Sequence, residues 1–264
     1  MRTLQLKNLK INFSGNNSFC LNIDDITIDR GEFVSIIGQN GSGKSTLLKA
    51  IAGLTENYSG EIILNKIDLK KISRSELAKK IAYVPQSSRN ISFFNFTVFE
   101  YVLTGRFPYI NKLAGYTKKD NDIVRETISY LNIEKYSERK ISTLSGGELQ
   151  KVLIAAALAQ QSEVLLFDEI SAFLDYRHKI ELDKILQKLI ERDETIISVT
   201  HDINDTFLKT GKILALKSGN KIFFDDAKFF FDSDELKRVY DVKFLKFFVE
   251  EIKSEFYLPH KDEN

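Results

Sequence analysis

The chain has 264 residues, of which 43% are hydrophobic, so it can bury the core of one large domain or two small ones. Lys and Arg number 38 against 37 Asp and Glu, which gives a net charge of +1. Proteins that bind duplex nucleic acid usually have a strongly positive field, so we expect no nucleic-acid partner. The single cysteine, Cys20, excludes an intrachain disulfide, and the first residues lack the apolar segment of a secretory signal, so a cytoplasmic protein is expected.

The N-terminal third combines two hydrophobic patterns. Alternating apolar residues predict antiparallel strands, and they are Leu4, Leu6, Leu9, Ile23, Ile26 and Ile28. The apolar run Phe33 to Ile37 is followed by glycines, and Ser45 to Ala52 then shows helical spacing. This part of the chain therefore predicts a small β-subdomain joined to a strand, a glycine turn and a helix.

The glycine turn fits the pattern Gly-x4-Gly-Lys-Ser/Thr through Gly38, Gly43, Lys44 and Ser45. Glycines let successive backbone N–H groups surround an anion, and the helix that follows adds the partial positive charge of its N-terminus. Lys44 would reach the β- and γ-phosphates of a nucleotide and the Ser45 hydroxyl would ligate Mg²⁺, although an ordinary glycine turn before a helix remains the alternative. The candidate phosphate contacts are Gly38, Asn40, Gly41, Ser42, Gly43, Lys44, Ser45 and Thr46.

The middle of the chain predicts a mostly helical insertion between Ser87 and Ser142. Asp120 to Leu131 has helical spacing, with four residues expected to face inward: Ile123, Thr127, Ile128 and Leu131. Ser145 and Glu148 then form an S-x-x-E capping box ahead of the buried helix Val152 to Ala159. Such a box most often only caps its helix, but it also marks a second helix N-terminus that could face phosphate.

Two further buried strands end in polar residues. Val164 to Phe167 is followed by Asp168 and Glu169, and Thr195 to Val199 precedes His201, with an amphipathic segment between the strands. Strands that alternate with helices indicate a parallel sheet, whose carboxyl edge is where α/β proteins bind ligands. Asp168 suits Mg²⁺ and Glu169 suits a base that polarises water, although a strand-end acid pair or a lone histidine can also be structural.

From Asp225 onward the chain is rich in Phe, Asp and Lys and carries no recognisable chemistry. We expect a helical or hairpin appendage that packs its aromatic side chains on the main domain.

The ordered motifs GQNGSGKST, YVPQ, LSGGE, VLLFDE, SAFLD and THD resemble the nucleotide-binding subunit of ABC transporters over about residues 1 to 225. The resemblance implies an α/β fold: a P-loop NTPase (RecA-like) core with an N-terminal antiparallel β-subdomain and a helical insertion at about residues 87 to 155. Residues 226 to 264 would form a C-terminal appendage.

The resemblance also implies a role for each matching residue. Lys44, Ser45 and Thr46 would bind phosphates and Mg²⁺, with Gln86 and Asp168 near the metal. Glu169 would be the general base and His201 a γ-phosphate contact. The residues that would complete the site of a second copy are Ser145, Gly146 and Gly147, and Asp175 would lie in the loop that crosses that dimer. Phe13 would stack on adenine, with Phe19 as its rival.

The sequence departs from the usual family pattern in a few places. Gln39 stands where proline is commoner in the phosphate loop, and Ile170 replaces the proline after Glu169. Leu149 and Lys151 replace the polar or Arg residues that usually follow LSGGE. None of these changes removes a donor, a metal ligand or the base, so we expect activity to be retained.

Two segments support a narrower resemblance. LTGRFPY (Leu103 to Tyr109) and AFLDYRHKIEL (Ala172 to Leu182) are similar to the importer ATPases that serve iron-siderophore, haem and vitamin B12 uptake. This implies ATP and Mg²⁺ as cofactors, a second copy, integral-membrane permease subunits and, indirectly, a solute-binding protein as partners. The expected location is the cytoplasmic face of the cell membrane. The alternatives are an ABC ATPase for another cargo, a soluble ABC ATPase outside transport, and a nucleotide-binding regulator without turnover.

Overall fold

The computed structural model describes residues 2–13, 19–86, 95–110, 115–172, 174–204, 206, 211–250 and 254–260. Two compact units make up the chain. The first unit comprises Met1–Lys71 and Ile196–Asn264, and the second comprises Ile72–Thr195. No helix in these described ranges is both long enough and apolar enough to cross a membrane.

The centre of the first unit is β4 (Phe33–Gly38), which is buried along its whole length. β9 (Thr195–Val199) and β10 (Lys212–Lys217) run parallel to it, one on each side. A strand covered on both faces is expected to have an uninterrupted apolar sequence, as the run Phe33 to Ile37 has. The predicted strand, turn and helix are confirmed, because α1 (Lys44–Ile51) follows β4 after the glycine turn.

The antiparallel part of the first unit is built around β1 (Arg2–Phe13). Its three antiparallel partners are β2 (Phe19–Ile23), β3 (Ile26–Asp29) and β5 (Tyr58–Leu64), and β5 pairs in turn with β6 (Ile67–Asp68). The six apolar residues that predicted this sheet are all buried. β11 (Asn220–Asp226) joins the two parts, since it is antiparallel to β10 and meets β2 where Asn220 pairs with Asn22.

The C-terminal segment contains both helices and a hairpin. Its elements are α7 (Ala227–Phe231), α8 (Glu235–Tyr240) and the antiparallel strands β12 (Lys243–Val249) and β13 (Ser254–His260). Phe230, Phe231 and Tyr257 pack in one apolar cluster with Ile37 of β4 and Ile213 of β10. The aromatic residues of this segment therefore extend the core of the first unit, while the predicted domain boundary at residue 225 stays a prediction.

The second unit is mainly helical. Its helices are α2 (Arg74–Lys80), α3 (Val98–Thr104), α4 (Lys118–Tyr130), α5 (Gly146–Ala159) and α6 (Tyr176–Ile190). β7 (Ile81–Val84) and β8 (Val164–Asp168) form a parallel pair, and α3, α4 and α5 come between them in the chain and pack on one another. A capping box begins each of these three helices, at Thr97, Thr117 and Ser145, which fixes where each one starts.

The predicted amphipathic helix at Asp120 is α4, with bounds close to the prediction. Ile123, Ile128 and Leu131 are buried as expected. Thr127 is half-buried, and its hydroxyl donates a hydrogen bond to the Ile123 carbonyl at 2.8 Å. Val124, which the sequence analysis did not assign to the core, is fully buried.

A buried ion pair connects the ends of these helices. Arg106 Nε donates to Asp120 Oδ1 at 2.9 Å, and both side chains are at most 6% exposed. Arg106 Nη1 also donates to the Ala159 carbonyl at 2.9 Å and to Gln161 Oε1 at 3.1 Å, while the Tyr109 ring lies 3.9 Å from the guanidinium. The arginine of the GRFPY stretch thus fixes the end of α3 to the start of α4 and the end of α5.

Candidate nucleotide-binding site

The phosphate loop begins at a residue that only glycine can occupy. Gly38 has φ +148°, and a Cβ atom there would lie 2.2 Å from the Leu216 carbonyl oxygen of β10. Gly43 ends the loop as the N-cap of α1, with φ 103° and no side-chain capping bond. Gly43 therefore supplies no side chain to cap the first N–H groups of α1. A helix start that binds an anion requires this, because the anion takes the place of a capping side chain.

Lys44 is folded back onto the loop and is only 5% exposed. Its Nζ donates to the Gly38 carbonyl at 2.9 Å and to the Gln39 carbonyl at 3.0 Å. The Ser42 N–H also donates to the Gln39 carbonyl, at 3.2 Å, so these carbonyls fix the shape of the loop. The buried Ser42 hydroxyl has no hydrogen-bond partner among the described residues, which leaves a donor for a ligand of the loop.

His201 lies at the same sheet edge as this loop. β9 is parallel to β4 with Val199 beside Ile36, and the Thr200 N–H donates to the Ile36 carbonyl at 3.3 Å. His201 is exposed and comes one residue later in the chain. The first unit thus brings together the phosphate loop and one predicted phosphate contact.

Phe13 and Phe19 are paired in the register of the β1–β2 hairpin. Because they stand at the same level, sequence spacing could not choose between them as the aromatic contact for adenine. Their side chains lie outside the part of the structure that is described.

The second unit brings together three predicted residues at the end of β8. Asp168 is 2% exposed and accepts a hydrogen bond from the Tyr83 hydroxyl at 3.0 Å. Burial, followed by the charge of Asp168, raises the pKa of Tyr83 well above its ordinary value, so this tyrosine stays a proton donor. The Glu169 carboxylate accepts a hydrogen bond from the side-chain amide of Gln86, which is 83 positions away in the sequence.

Glu169 adopts an unusual backbone conformation. Its φ is +50°, in the left-handed region that residues other than glycine rarely occupy. Such a conformation costs on the order of 1–3 kcal/mol at a residue other than glycine. Eight other non-glycine residues among those described share a positive φ, so the case for Glu169 rests on its contact with Gln86 and not on its backbone.

The LSGGE segment forms the predicted capping box. Ser145 Oγ accepts from the Glu148 N–H at 3.3 Å, and Glu148 Oε2 accepts from the Ser145 N–H at 2.9 Å. The hydrogen bond from the Ser145 N–H to the Glu148 carboxylate has the largest effect on this group and lowers the pKa of Glu148. A Cβ atom added to Gly146 would have no neighbour within 4 Å, so the first helical residue is open.

Gly147 is packed closely against His178 of α6. A Cβ atom on Gly147 would lie 2.1 Å from the His178 ring. The same histidine is held by Asp175, the N-cap of α6, whose Oδ1 accepts from the His178 N–H at 2.9 Å and contacts Nδ1 at 2.8 Å. The structure thus connects a glycine of LSGGE to Asp175 through one imidazole ring.

Tyr83 and His178 are the contacts that sequence reasoning missed. Tyr83 occupies an ordinary strand position, and His178 looks like a surface residue in the first turn of an amphipathic helix. For His178 the available signal was its spacing of three residues from the N-cap Asp175, which allows a side-chain contact.

The donor set suits a magnesium nucleotide. The predicted metal contacts are all oxygen donors, the type that Mg²⁺ prefers; Ser45 belongs to the first unit, and Gln86 and Asp168 belong to the second. Among the residues described here, no group of three or more His, Cys, Asp or Glu could hold a metal ion. Few protein ligands are typical of Mg²⁺, which takes much of its coordination from phosphates and water.

Comparisons with known proteins place this arrangement in a family. The family model described as "ABC transporter" matches residues 21–172. The iron(3+)-hydroxamate import ATP-binding protein FhuC of Bacillus subtilis is 36% identical over 219 residues, which cover 83% of this chain and 81% of that protein. The petrobactin import ATP-binding protein FpuC of Bacillus anthracis is 37% identical over 211 residues, covering 80% and 77%.

A solved structure agrees with these relatives. It is described as an inward-facing conformation of a proposed metal-chelate type ABC transporter, with a TM-score of 0.84 and 26% identity over 99% of this chain and 98% of that one. The predicted fold class is confirmed by this likeness and by the parallel and antiparallel strands of the first unit. The chain therefore belongs to the ABC transporter family and is an ATP-binding, ATP-hydrolysing member of it.

Proposed function

We propose that this chain is the ATPase subunit of an importer for a chelated metal, of the kind that carries ferric siderophore, haem or cobalamin. The names of its Bacillus relatives and the LTGRFPY segment support this substrate class. The chain would act at the cytoplasmic face of the membrane, bound to permease subunits that receive cargo from a solute-binding protein.

In the proposed reaction, ATP lies between the phosphate loop of one copy and LSGGE of a second copy. Lys44 and the N–H groups at the start of α1 bind the phosphates, and His201 contacts the γ-phosphate. Ser145, Gly146 and Gly147 of the second copy complete the site from the open start of α5. Asp175 accompanies them, since His178 connects it to Gly147.

Magnesium would be held by Ser45, Gln86 and Asp168, and when bound it would neutralise charge on the β- and γ-phosphates. Tyr83 donates a hydrogen bond to Asp168 and keeps that carboxylate in one orientation. These residues are a hydroxyl, an amide and a carboxylate, so none of them has to lose a proton to the metal near neutral pH.

The catalytic part of the proposed function rests mainly on the hydrogen bond between Gln86 and Glu169. Gln86 is expected near the water and the metal, and Glu169 is expected to accept the water proton. Their contact supports a single catalytic group in which Gln86 orients the carboxylate of Glu169. Assembling this group with the second copy makes hydrolysis depend on dimer closure.

Phe107 supports the permease contact. It is 70% exposed in a short 3₁₀ turn, directly after the buried Arg106 that fixes this part of the helical insertion. Single exposed apolar side chains are common on protein surfaces, so the support from Phe107 comes from its place in the LTGRFPY segment.

The catalytic assignment is tested by comparing Glu169→Gln, Lys44→Ala and the control Glu163→Gln. Glu169→Gln should bind ATP with wild-type affinity and lose about 10²–10⁴-fold in phosphate release, since only the proton acceptor is removed. It should also form a dimer with ATP in size-exclusion chromatography, and Lys44→Ala should lose ATP binding. Glu163 forms an ion pair with Lys80 on the surface and should tolerate the change. Unchanged turnover of Glu169→Gln would remove it as the base.

The cargo assignment needs the permease and the solute-binding protein that act with this chain. Uptake of labelled ferric siderophore, haem and cobalamin should depend on wild-type chain and fail with Glu169→Gln. Wild-type uptake of none of the three would refute the chelated-metal proposal while leaving the ATPase assignment intact.

A further inference from the structure

The C-terminal segment contacts the phosphate loop through one side chain. Gln39 Nε2 donates to Asp241 Oδ2 at 3.2 Å, although the two residues are 202 positions apart. Asp241 follows α8 in the left-handed conformation, with φ +58°, and its N–H donates to the Lys237 carbonyl at 2.8 Å. The backbone at Asp241 is therefore fixed by the end of the helix, and its carboxylate is available to the loop.

Lys217 holds the other side of the same carboxylate. Its Nζ lies 2.5 Å from Asp241 Oδ1 and donates to the Arg238 carbonyl at 2.8 Å. The hydrogen bond and charge of Lys217, and then Gln39, hold the pKa of Asp241 below its ordinary value. Lys217 directly follows Leu216, which packs on Gly38 at the start of the loop. The residues Gln39, Asp241 and Lys217 form what we call the Asp241 bridge.

Tyr240 places a second group of this segment beside the loop. Its ring packs against Phe244 at a centroid distance of 5.9 Å and against the apolar cluster of the first unit. Burial raises the pKa of Tyr240 to about 12, and the nearby backbone N–H of Gly38 opposes part of that rise. The Tyr240 hydroxyl is nonetheless without a partner of hydrogen-bond geometry in the described residues. Consecutive residues of the C-terminal segment therefore lie next to Gly38 and Gln39.

Gln39 stands at the phosphate-loop position where proline is commoner. A proline ring fixes φ near −65° and reduces the conformations open to the loop, which a glutamine does not do. The backbone at this position is important, because the Gln39 carbonyl accepts from Lys44 Nζ and from the Ser42 N–H. A bond that holds the Gln39 side chain therefore also restricts the conformations of the loop backbone at this residue.

We propose that Asp241 is a positioning residue for ATP binding, which tethers Gln39 so that the phosphate loop holds Lys44 in place for the phosphates. The proposal rests on the proposed role of this loop in binding ATP. It gives the C-terminal segment a part in nucleotide affinity, in addition to the apolar packing of Phe230 and Tyr257.

The test is a double-mutant cycle on ATP affinity, with Gln39→Ala, Asp241→Ala and the double variant. Affinity is measured with a fluorescent ATP analogue in the Glu169→Gln background, where turnover does not interfere. Because the bridge is solvent-exposed, each single change should weaken binding only about two- to fivefold, by raising the dissociation rate. The double variant should be no weaker than the weaker single one, because either change already removes the contact.

Three further variants separate positioning from general folding. Asp234→Ala changes an exposed aspartate at the other end of α8 that makes no capping bond, and it should bind like the parent. Asp241→Glu keeps the carboxylate and should recover most of the affinity. With Glu169 intact, Asp241→Ala should raise KM for ATP and leave kcat near wild type, and thermal unfolding is recorded for every variant.

Additive effects in the cycle, or wild-type affinity of Asp241→Ala, would overturn the proposal. If Asp241→Ala fails to fold, Gln39→Ala alone decides, and its wild-type affinity would overturn the proposal as well. A parent chain that binds no ATP, or Lys44→Ala that binds it normally, would instead refute the proposed function of the loop.

Discussion

Replacing Arg106 by methionine should destabilise the second unit strongly, because it removes the only cation bonded to the buried Asp120 carboxylate among the described contacts. Arg106 and Asp120 have side-chain exposures of 4% and 6%, and their bond is 2.9 Å long. Methionine is apolar and flexible, so it can fill much of the space while making none of the three hydrogen bonds of the guanidinium. The change therefore tests the charge and not only the packing.

The expected loss in free energy of unfolding depends on the hydrogen bonds that the buried Asp120 carboxylate keeps in Arg106→Met. Removing one partner of a buried ion pair costs about 3–5 kcal/mol, because the other charge is left without compensation. Asp120 retains hydrogen bonds from the Thr117 N–H at 2.9 Å and the Thr117 hydroxyl at 2.6 Å. We therefore expect the lower part of the range, about 3 kcal/mol in the free energy of unfolding.

Urea unfolding followed by circular dichroism measures this loss, and hydrogen exchange of the α4 and α5 amides shows whether it lies in the second unit. Arg125→Met is the matched control: Arg125 is exposed on α4 with its guanidinium 5.4 Å from the Phe99 ring, and its loss should cost at most about 1 kcal/mol. Adding Asp120→Asn to Arg106→Met should recover part of the stability. Equal costs for the two arginine variants, or a double variant that costs the sum of the singles, would refute the reasoning.

Two other predictions use the same unit. Gly147→Ala should lower stability by about 1–3 kcal/mol, because its Cβ would overlap the His178 ring, whereas Gly146→Ala should stay within about 0.5 kcal/mol. Thermal unfolding compares the stabilities of the two variants. Adding His178→Ala to Gly147→Ala should restore stability, and failure to do so would refute the packing argument. Burial opposes ionisation of Asp120, yet hydrogen bonds from Thr117 and Arg106 hold its pKa below its ordinary value. Its contribution to stability is therefore complete above pH about 4 and is lost as the pH falls further, so Asp120→Asn should unfold with a weaker dependence on pH between 5 and 3. The free energy of unfolding is measured by urea titration at each pH. If it changed equally with pH in the wild type and in Asp120→Asn, this assignment would be excluded.

The elements that were predictable from the sequence are those whose signals are local. β4, the glycine loop and α1 follow from a buried run, a spacing of glycines and a helical period within twenty residues of one another. The capping box at Ser145 and the acids at the end of β8 are equally local. The roles carried over by resemblance stay predictions, because sequence order does not measure where side chains meet.

The contacts that escaped prediction join residues far apart in the chain. Periodicity shows which face of a strand is buried, but it does not name the partner, so the bond from Tyr83 to Asp168 was not foreseeable. The same holds for His178 against Gly147 and for Asp241 against Gln39. These side chains come together only once the sheets and helices have packed.

The anchoring of Gly38 has a consequence for the thermodynamics of ligand capture. The loop starts from a strand that is buried along its length between two parallel neighbours, and its first residue is wedged against the Leu216 carbonyl. Backbone amides in such a strand exchange with solvent mainly through global opening of the fold. Gly38 therefore has little conformational entropy left to lose when a phosphate binds, which lowers the entropic cost of ordering the start of the loop.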